Sequence, residues 1–173
     1  MSDLLERTRA VLTAAPVRWM SLAEALPADL LALPPAPGEW PAVGCLQHLV
    51  DTERWVFPAR VKALLAGQDF PAFDPDRQGT PLDAAPSPAA LAMEFARLRQ
   101  DGLAQLARVT PHDLARQARH SELGLVTLSE LLNEWAGHDL MHLVQAERAL
   151  MQPFIRGSGP WQPYFAEHEA SPR

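Results

Sequence analysis

The sequence predicts an all-α domain: a four-helix bundle with a long crossover between its second and third helices. Three observations lead there. Apolar residues recur over long stretches at steps of three and four, without the two-residue alternation of strands. Seventeen prolines in 173 residues divide those stretches like punctuation. Four stretches are long enough for bundle helices, with short links and one long connection, and such helices bury their apolar stripes around a shared interior.

The first helical stretch runs from Asp3 to Leu26, with a kink or break expected at Pro16, whose ring removes a backbone hydrogen bond. Leu33-Pro-Pro-Ala-Pro-Gly-Glu-Trp-Pro41 then enforces extended backbone and a turn. The second helix spans about Val43 to Ala66, with Pro58 as a kink. From Gly67 to Pro86 the chain is proline-rich and aperiodic, an irregular crossover. Ser87 and Pro88 supply an N-cap and a first-turn proline for the third helix, which continues through Leu91, Phe95, Leu98, Leu103 and Leu106. Thr127 and Glu130 form a capping box that starts the fourth helix, expected to end near Gln152 before Pro153. One domain over 1–173 follows, with the bundle at about 1–155. Residues 156–173 are read as a tail packed on it, with Trp161, Tyr164 and Phe165 laid against the helices.

Composition removes several function classes. The chain is 47% hydrophobic, enough for a proper core, and no composition shift marks a second domain. Net charge is -6 and no basic run occurs, so the phosphate-neutralising patch of a nucleic-acid binder is missing. No signal pattern and no apolar run of membrane-spanning length is present, so the reading is a cytoplasmic protein without a membrane partner. Cys45 is the only cysteine, which excludes an internal disulfide and Cys-rich zinc sites. It reads as a small buried apolar residue.

His138 and His142 lie four apart on the fourth helix, so both imidazoles leave one face, one turn apart. That spacing suits two ligands of one metal ion, and equally a pair of surface or hydrogen-bonded core histidines. Leu128, Leu131, Leu132, Trp135, Leu143, Ala146 and Leu150 form the buried stripe; Asp139 falls near its centre, His142 within it and His138 on its flank. In the second helix, Leu46, Leu49, Val50, Val56, Phe57, Val61 and Leu64 define a stripe whose middle holds Glu53 and Arg60, seven residues apart on one face. A buried carboxylate must be paired or hydrogen-bonded, and a salt bridge that sets bundle register is the simpler account of Glu53, Arg60 and Asp139. His48 lies on the other side of that helix, near Thr52, Trp55 and Ala59, where it reads as an ordinary half-exposed histidine.

Gly38-Glu-Trp40, the run His48-Leu-Val-Asp-Thr-Glu53 and the block from His120 to Gln145 together resemble the DinB-like superfamily, in order and spacing, over about residues 1–155. The resemblance implies a bundle that holds a divalent metal through one histidine of the second helix and two residues four apart on the last. Carried over, those positions are His48, His138 and His142. Three nitrogen donors with open positions are the donor set of a catalytic site, and zinc, nickel, iron or manganese all suit imidazole. Glu53, Asp139 and Gln145 then become candidates for orienting the imidazoles, and His120 is a candidate for substrate contact or a structural loop histidine. Characterised relatives are similar to thiol-dependent S-transferases and isomerases, in which the metal activates a thiol such as bacillithiol or mycothiol. The resemblance therefore implies a metal-dependent transferase joining a low-molecular-weight thiol to a small electrophile. Its alternatives are a metal-dependent hydrolase and a non-catalytic metal-binding stress-response protein, with a homodimer compatible with each.

Overall fold

The computed structural model describes residues 2–82 and 86–170, and in it four long helical segments make the bundle. They are α1 (Ser2–Ala25), the pair α3 (Ala42–Trp55) and α4 (Phe57–Ala66), α6 (Pro88–Leu106) and α7 (Leu128–Gly157). The short helices α2 (Ala28–Leu31) and α5 (Pro75–Gln78) lie in the connections. The main contacts join α1 to α6 and α7, and α3 to α6 and α7, so α1 and α3, although consecutive long helices, stand diagonally across the bundle. No helix among the described residues is long and apolar enough to cross a membrane.

Proline behaves differently at each position. Pro58 divides the second helix: Val56, at φ -113° and ψ -78°, leaves the helical path between α3 and α4. Of the kink or break expected at Pro16, no break occurs: α1 runs on through it to Ala25. The proline's missing N–H would have bonded the carbonyl of Leu12, and that freed oxygen instead accepts from Arg99 Nη1 at 2.9 Å. α7 likewise passes through Pro153 and ends at Gly157, beyond the expected stop. The predicted caps are present: Ser87 accepts from Ala90 N, and the Thr127–Glu130 capping box closes reciprocally.

The link between α6 and α7 differs from the expected short loop. Between α6 and α7 lie a 3-10 turn at Pro111–Ala115 and an antiparallel hairpin, β1 (Gln117–His120) with β2 (Gly124–Thr127), so the domain is not purely helical. Four-residue strands carry too little alternation to stand out; Gly124, at φ 78°, is their turn signal. The crossover docks on this hairpin, with Phe70 N donating to Arg119 O at 3.0 Å and Ser121 N to Phe70 O at 3.1 Å. The C-terminal segment Gly159–His168 is 3-10 helical and joins α7 through polar bonds: Arg148 and Gln152 donate to the carbonyl of His168. Trp161 and Tyr164 are exposed rather than laid on the bundle, and Phe165 is half-buried.

The core divides into two apolar clusters separated by a charged layer. One cluster holds Leu5, Leu12, Phe57, Val61, Leu106, Leu132 and Trp135; the other holds Trp19, Leu46, Val50, Leu91, Phe95, Leu143 and Ala146. Between them Arg99, 1% exposed, donates to Glu53 Oε1 (2.7 and 3.0 Å) and to both oxygens of Asp139 (2.6 and 3.0 Å). Trp135 Nε1 donates to the same Glu53 oxygen at 2.8 Å. Burial works against the charge of Arg99, but Asp139 and Glu53 outweigh it and raise its pKa. The predicted buried salt bridge thus exists, with Arg99 and not Arg60 as its cation. Arg99 continues the α6 stripe of Leu91 and Phe95 at four-residue steps, which is the signal that locates it.

Removing one partner of such a layer strands the others in the interior. Arg99→Leu is expected to lower unfolding free energy by about 3–5 kcal/mol in urea titration. A loss below about 1 kcal/mol would show that the layer does not hold the fold together.

Candidate metal centre

His48 on α3 and His138 and His142 on α7 meet at the seam between these helices. His48 Nε2 lies 3.0 Å from His138 Nε2, and His142 Nε2 lies 3.2 Å from the same atom. All three offer a nitrogen within a 4.8 Å group. His142 is buried and the other two are half-buried. The α7 pair converges because of its one-turn spacing. His48 joins it because α7 packs against the edge of α3 that carries His48, a seam a single-helix wheel cannot locate.

Burial lowers the pKa of every ring. His48 falls to about 4, and His142 to about 4 with the neighbouring His48 adding to burial. His138 falls to about 2, through burial first and then through His142, His48, Arg99 and Arg60. All three are therefore neutral at pH 7 and each keeps one unprotonated nitrogen. For His142 that nitrogen is Nε2, because Nδ1 donates to Gln145 Oε1 at 2.9 Å.

Three facing nitrogens cannot all satisfy one another. The proton of His142 is committed to Gln145, so its Nε2 only accepts, while His138 Nδ1 is buried without a partner among the described residues. A cation held by the three Nε2 atoms would take up the lone pairs that face one another, with the His138 proton left on Nδ1. Two bonds of about 2.0–2.1 Å at roughly 90–110° place their donor atoms about 2.9–3.4 Å apart, the range the two ring separations occupy. The residues present fit a divalent ion held by three imidazoles.

The surroundings shield this point without sealing it. Trp40 covers it, with its ring 5.0 Å from His48 and stacked 6.1 Å from His142, and Phe57 meets His138 edge-on at 5.1 Å. The crossover folds over the face of α3 that carries His48. Asp51 anchors it there, accepting from Thr80 N (2.7 Å), Thr80 Oγ1 (2.8 Å) and Gln47 Nε2 (2.9 Å). A cleft of about 250 Å³, lined in part by Trp40, Gln47 and Thr80, reaches the His48 ring. Beside it lie one of about 320 Å³ bounded by Trp55, Arg60 and Phe73, and one of about 580 Å³ bounded by Trp40, Gln145 and Arg148.

Other candidates have different roles. Gln145, a candidate for orienting the imidazoles, bonds His142, three residues before it. Glu53 and Asp139 bond Arg99, and neither makes a hydrogen bond to a histidine. Arg60 bonds Pro71 O at 3.3 Å instead of joining Glu53. His120, at the end of β1, is buried in the hairpin: its Nδ1 accepts from Glu122 N and Leu123 N at 3.1 and 3.2 Å, the duty of a turn organiser. Cys45 is fully buried, and burial pushes its thiol up to about 12, so it supplies no thiolate. Trp40, Asp51 and Phe73 had no assigned role in the sequence reading. Their contribution comes from the crossover and the proline-rich turn folding back.

A family model described as the DinB superfamily matches residues 11–146. No curated protein matches the sequence. Among solved structures, YfiT from Bacillus subtilis superposes with a TM-score of 0.75 at 20% identity, covering 89% of each chain. It is described as "a probable metal-dependent hydrolase with an unusual four-helix bundle topology". At that identity the likeness is one of fold.

Untagged protein equilibrated with zinc is expected to hold close to one ion per chain by elemental analysis. His48→Ala and His142→Ala should each abolish this, and Gln145→Ala should weaken affinity about 10–100-fold by freeing the His142 tautomer. Stoichiometric metal in both histidine variants would place the ion elsewhere.

Proposed function

The chain belongs to the DinB superfamily, and from that premise we propose a divalent-metal-dependent enzyme that joins a low-molecular-weight thiol to a small electrophile. The observation that carries the reading is the convergence of three neutral Nε2 atoms, one of whose rings, His48, lines a cleft open to solvent. Held by His48, His138 and His142, a divalent ion supplies Lewis acidity, lowering the pKa of a thiol or water that reaches it.

The protein's own residues do the rest. Gln145 keeps the proton of His142 on the side away from the cleft. Trp40 packs on His48 and Phe57 on His138, narrowing the access of water to the rings. Asp51, through Thr80, holds the crossover as a wall. The separate clefts beside the triad offer room for two organic reactants, as a transfer needs. With an epoxide, the new bond is C–S, the bond broken is C–O, and the thiol proton ends on the released oxygen. Cys45 takes no part.

The second reading is hydrolysis, favoured by the description of YfiT, and it uses the same ion and residues with water as nucleophile. Metal-loaded protein is to be incubated with bacillithiol, mycothiol, glutathione or cysteine and an epoxide or chlorinated aromatic, following thiol loss. Consumption at least about tenfold faster than with metal-free protein is expected, abolished in His48→Ala and unchanged in Cys45→Ser. Metal-dependent ester cleavage with no thiol consumption would replace transfer by hydrolysis. Neither activity in protein that holds its ion would leave a binding protein.

A further inference from the structure

The cleft of about 320 Å³ beside the triad holds a guanidinium that no carboxylate neutralises at close range. Trp55, Ala59, Arg60, Phe70, Phe73 and Gln78 line it. Phe73 joins it to the metal centre, with its ring 6.4 Å from both His48 and Trp55. The aromatic rings make its walls apolar. Arg60 stands at one side, its guanidinium 5.5 Å over the ring of Phe70.

Arg60 is underused by the fold. One Nη makes a 3.3 Å bond to Pro71 O and lies 3.4 Å from His120 Nε2, and its other N–H groups bond nothing among the described residues. Its side chain enters none of the ion pairs that hold Arg54, Arg97, Arg99 and Arg116. Glu134 faces it from α7 across a smaller cleft on the other side and acts on it as a through-space charge, not as a bonded partner. Partial burial disfavours the charge of Arg60, which that carboxylate only partly offsets. A guanidinium presents paired donors in a fixed plane that match the two oxygens of a carboxylate.

We infer that this cleft binds a small organic carboxylate, with the carboxylate on Arg60 and an apolar body against the adjoining rings of Trp55 and Phe73. Naming that ligand a substrate rests on the metal-dependent reading above, whereas the anion site itself needs no metal. The two can therefore fail separately.

The test uses metal-free full-length protein and two probes of one shape, phenylacetate and phenylacetamide, followed by tryptophan emission. Phenylacetate should give a saturable change, and the amide should bind at least about tenfold more weakly. Arg60→Gln should weaken phenylacetate at least about tenfold, and Arg60→Lys, which keeps the charge but not the fork, by less. Trp55→Phe should remove the signal. Equal binding of acid and amide by the wild-type protein overturns the proposal without any variant. So does unchanged affinity in folded Arg60→Gln, an undiminished signal in Trp55→Phe, or no saturable change at all. Zinc content equal to wild type in Arg60→Gln would show that the anion site and the triad are independent; loss of zinc there would overturn a role confined to the cleft.

Discussion

A guanidinium 1% exposed, bonded to carboxylates on two other helices and to a carbonyl on a third, allows the bundle only one arrangement. Arg99 comes from α6, Glu53 from α3, Asp139 from α7 and the Leu12 oxygen from α1, so one side chain ties all four long segments at one level. Sliding α3, α6 or α7 by a turn would leave a buried charge unpaired, at a cost of several kcal/mol, and sliding α1 would take the Leu12 carbonyl from its donor. Apolar packing alone is far more forgiving of such shifts. The proline in α1 belongs to this device, since without it the Leu12 carbonyl would be spent inside its own helix. Trp135, bonded to Glu53 and stacked on Phe57, adds rigidity from the adjoining cluster.

The three-histidine cluster inherits its geometry from that layer. His138 immediately precedes Asp139, and His48 is five residues before Glu53, so the bonds that fix the rotation and height of α7 and α3 also fix where their imidazoles meet. Ring nitrogens 3.0–3.2 Å apart tolerate little drift if they are to share an ion. The buried carboxylates thus serve the histidines through the backbone and not through hydrogen bonds to them. Gln145 alone among the candidate orienting residues acts directly on a ring.

The crossover decides what the outer face of α3 becomes. His48, Thr52, Trp55 and Ala59 share that face, and on an isolated helix it would point to water. The segment carrying Phe73 and Thr80 folds back over it and converts a solvent face into clefts walled by aromatic rings. Arg60 gains its environment in the same way, drawn toward Pro71 and Phe70 rather than toward Glu53 one helical repeat away.

Helix positions were legible in the residues because capping and apolar periodicity are local: Ser87, the Thr127–Glu130 box and the repeating leucines act within one or two turns. The one-turn spacing of His138 and His142 was legible for the same reason, as was the burial of Asp139 and Glu53 on their stripes. The single cysteine also excluded an internal disulfide without reference to shape. The cation between those carboxylates, the meeting of His48 with the α7 pair, the continuity of α1 through Pro16 and the structural duty of His120 were decided only in three dimensions. Each depends on which group of a distant segment arrives to satisfy a freed carbonyl, a buried charge or an open lone pair. A helical wheel records direction within one helix; it contains no term for what another helix or loop brings to that side.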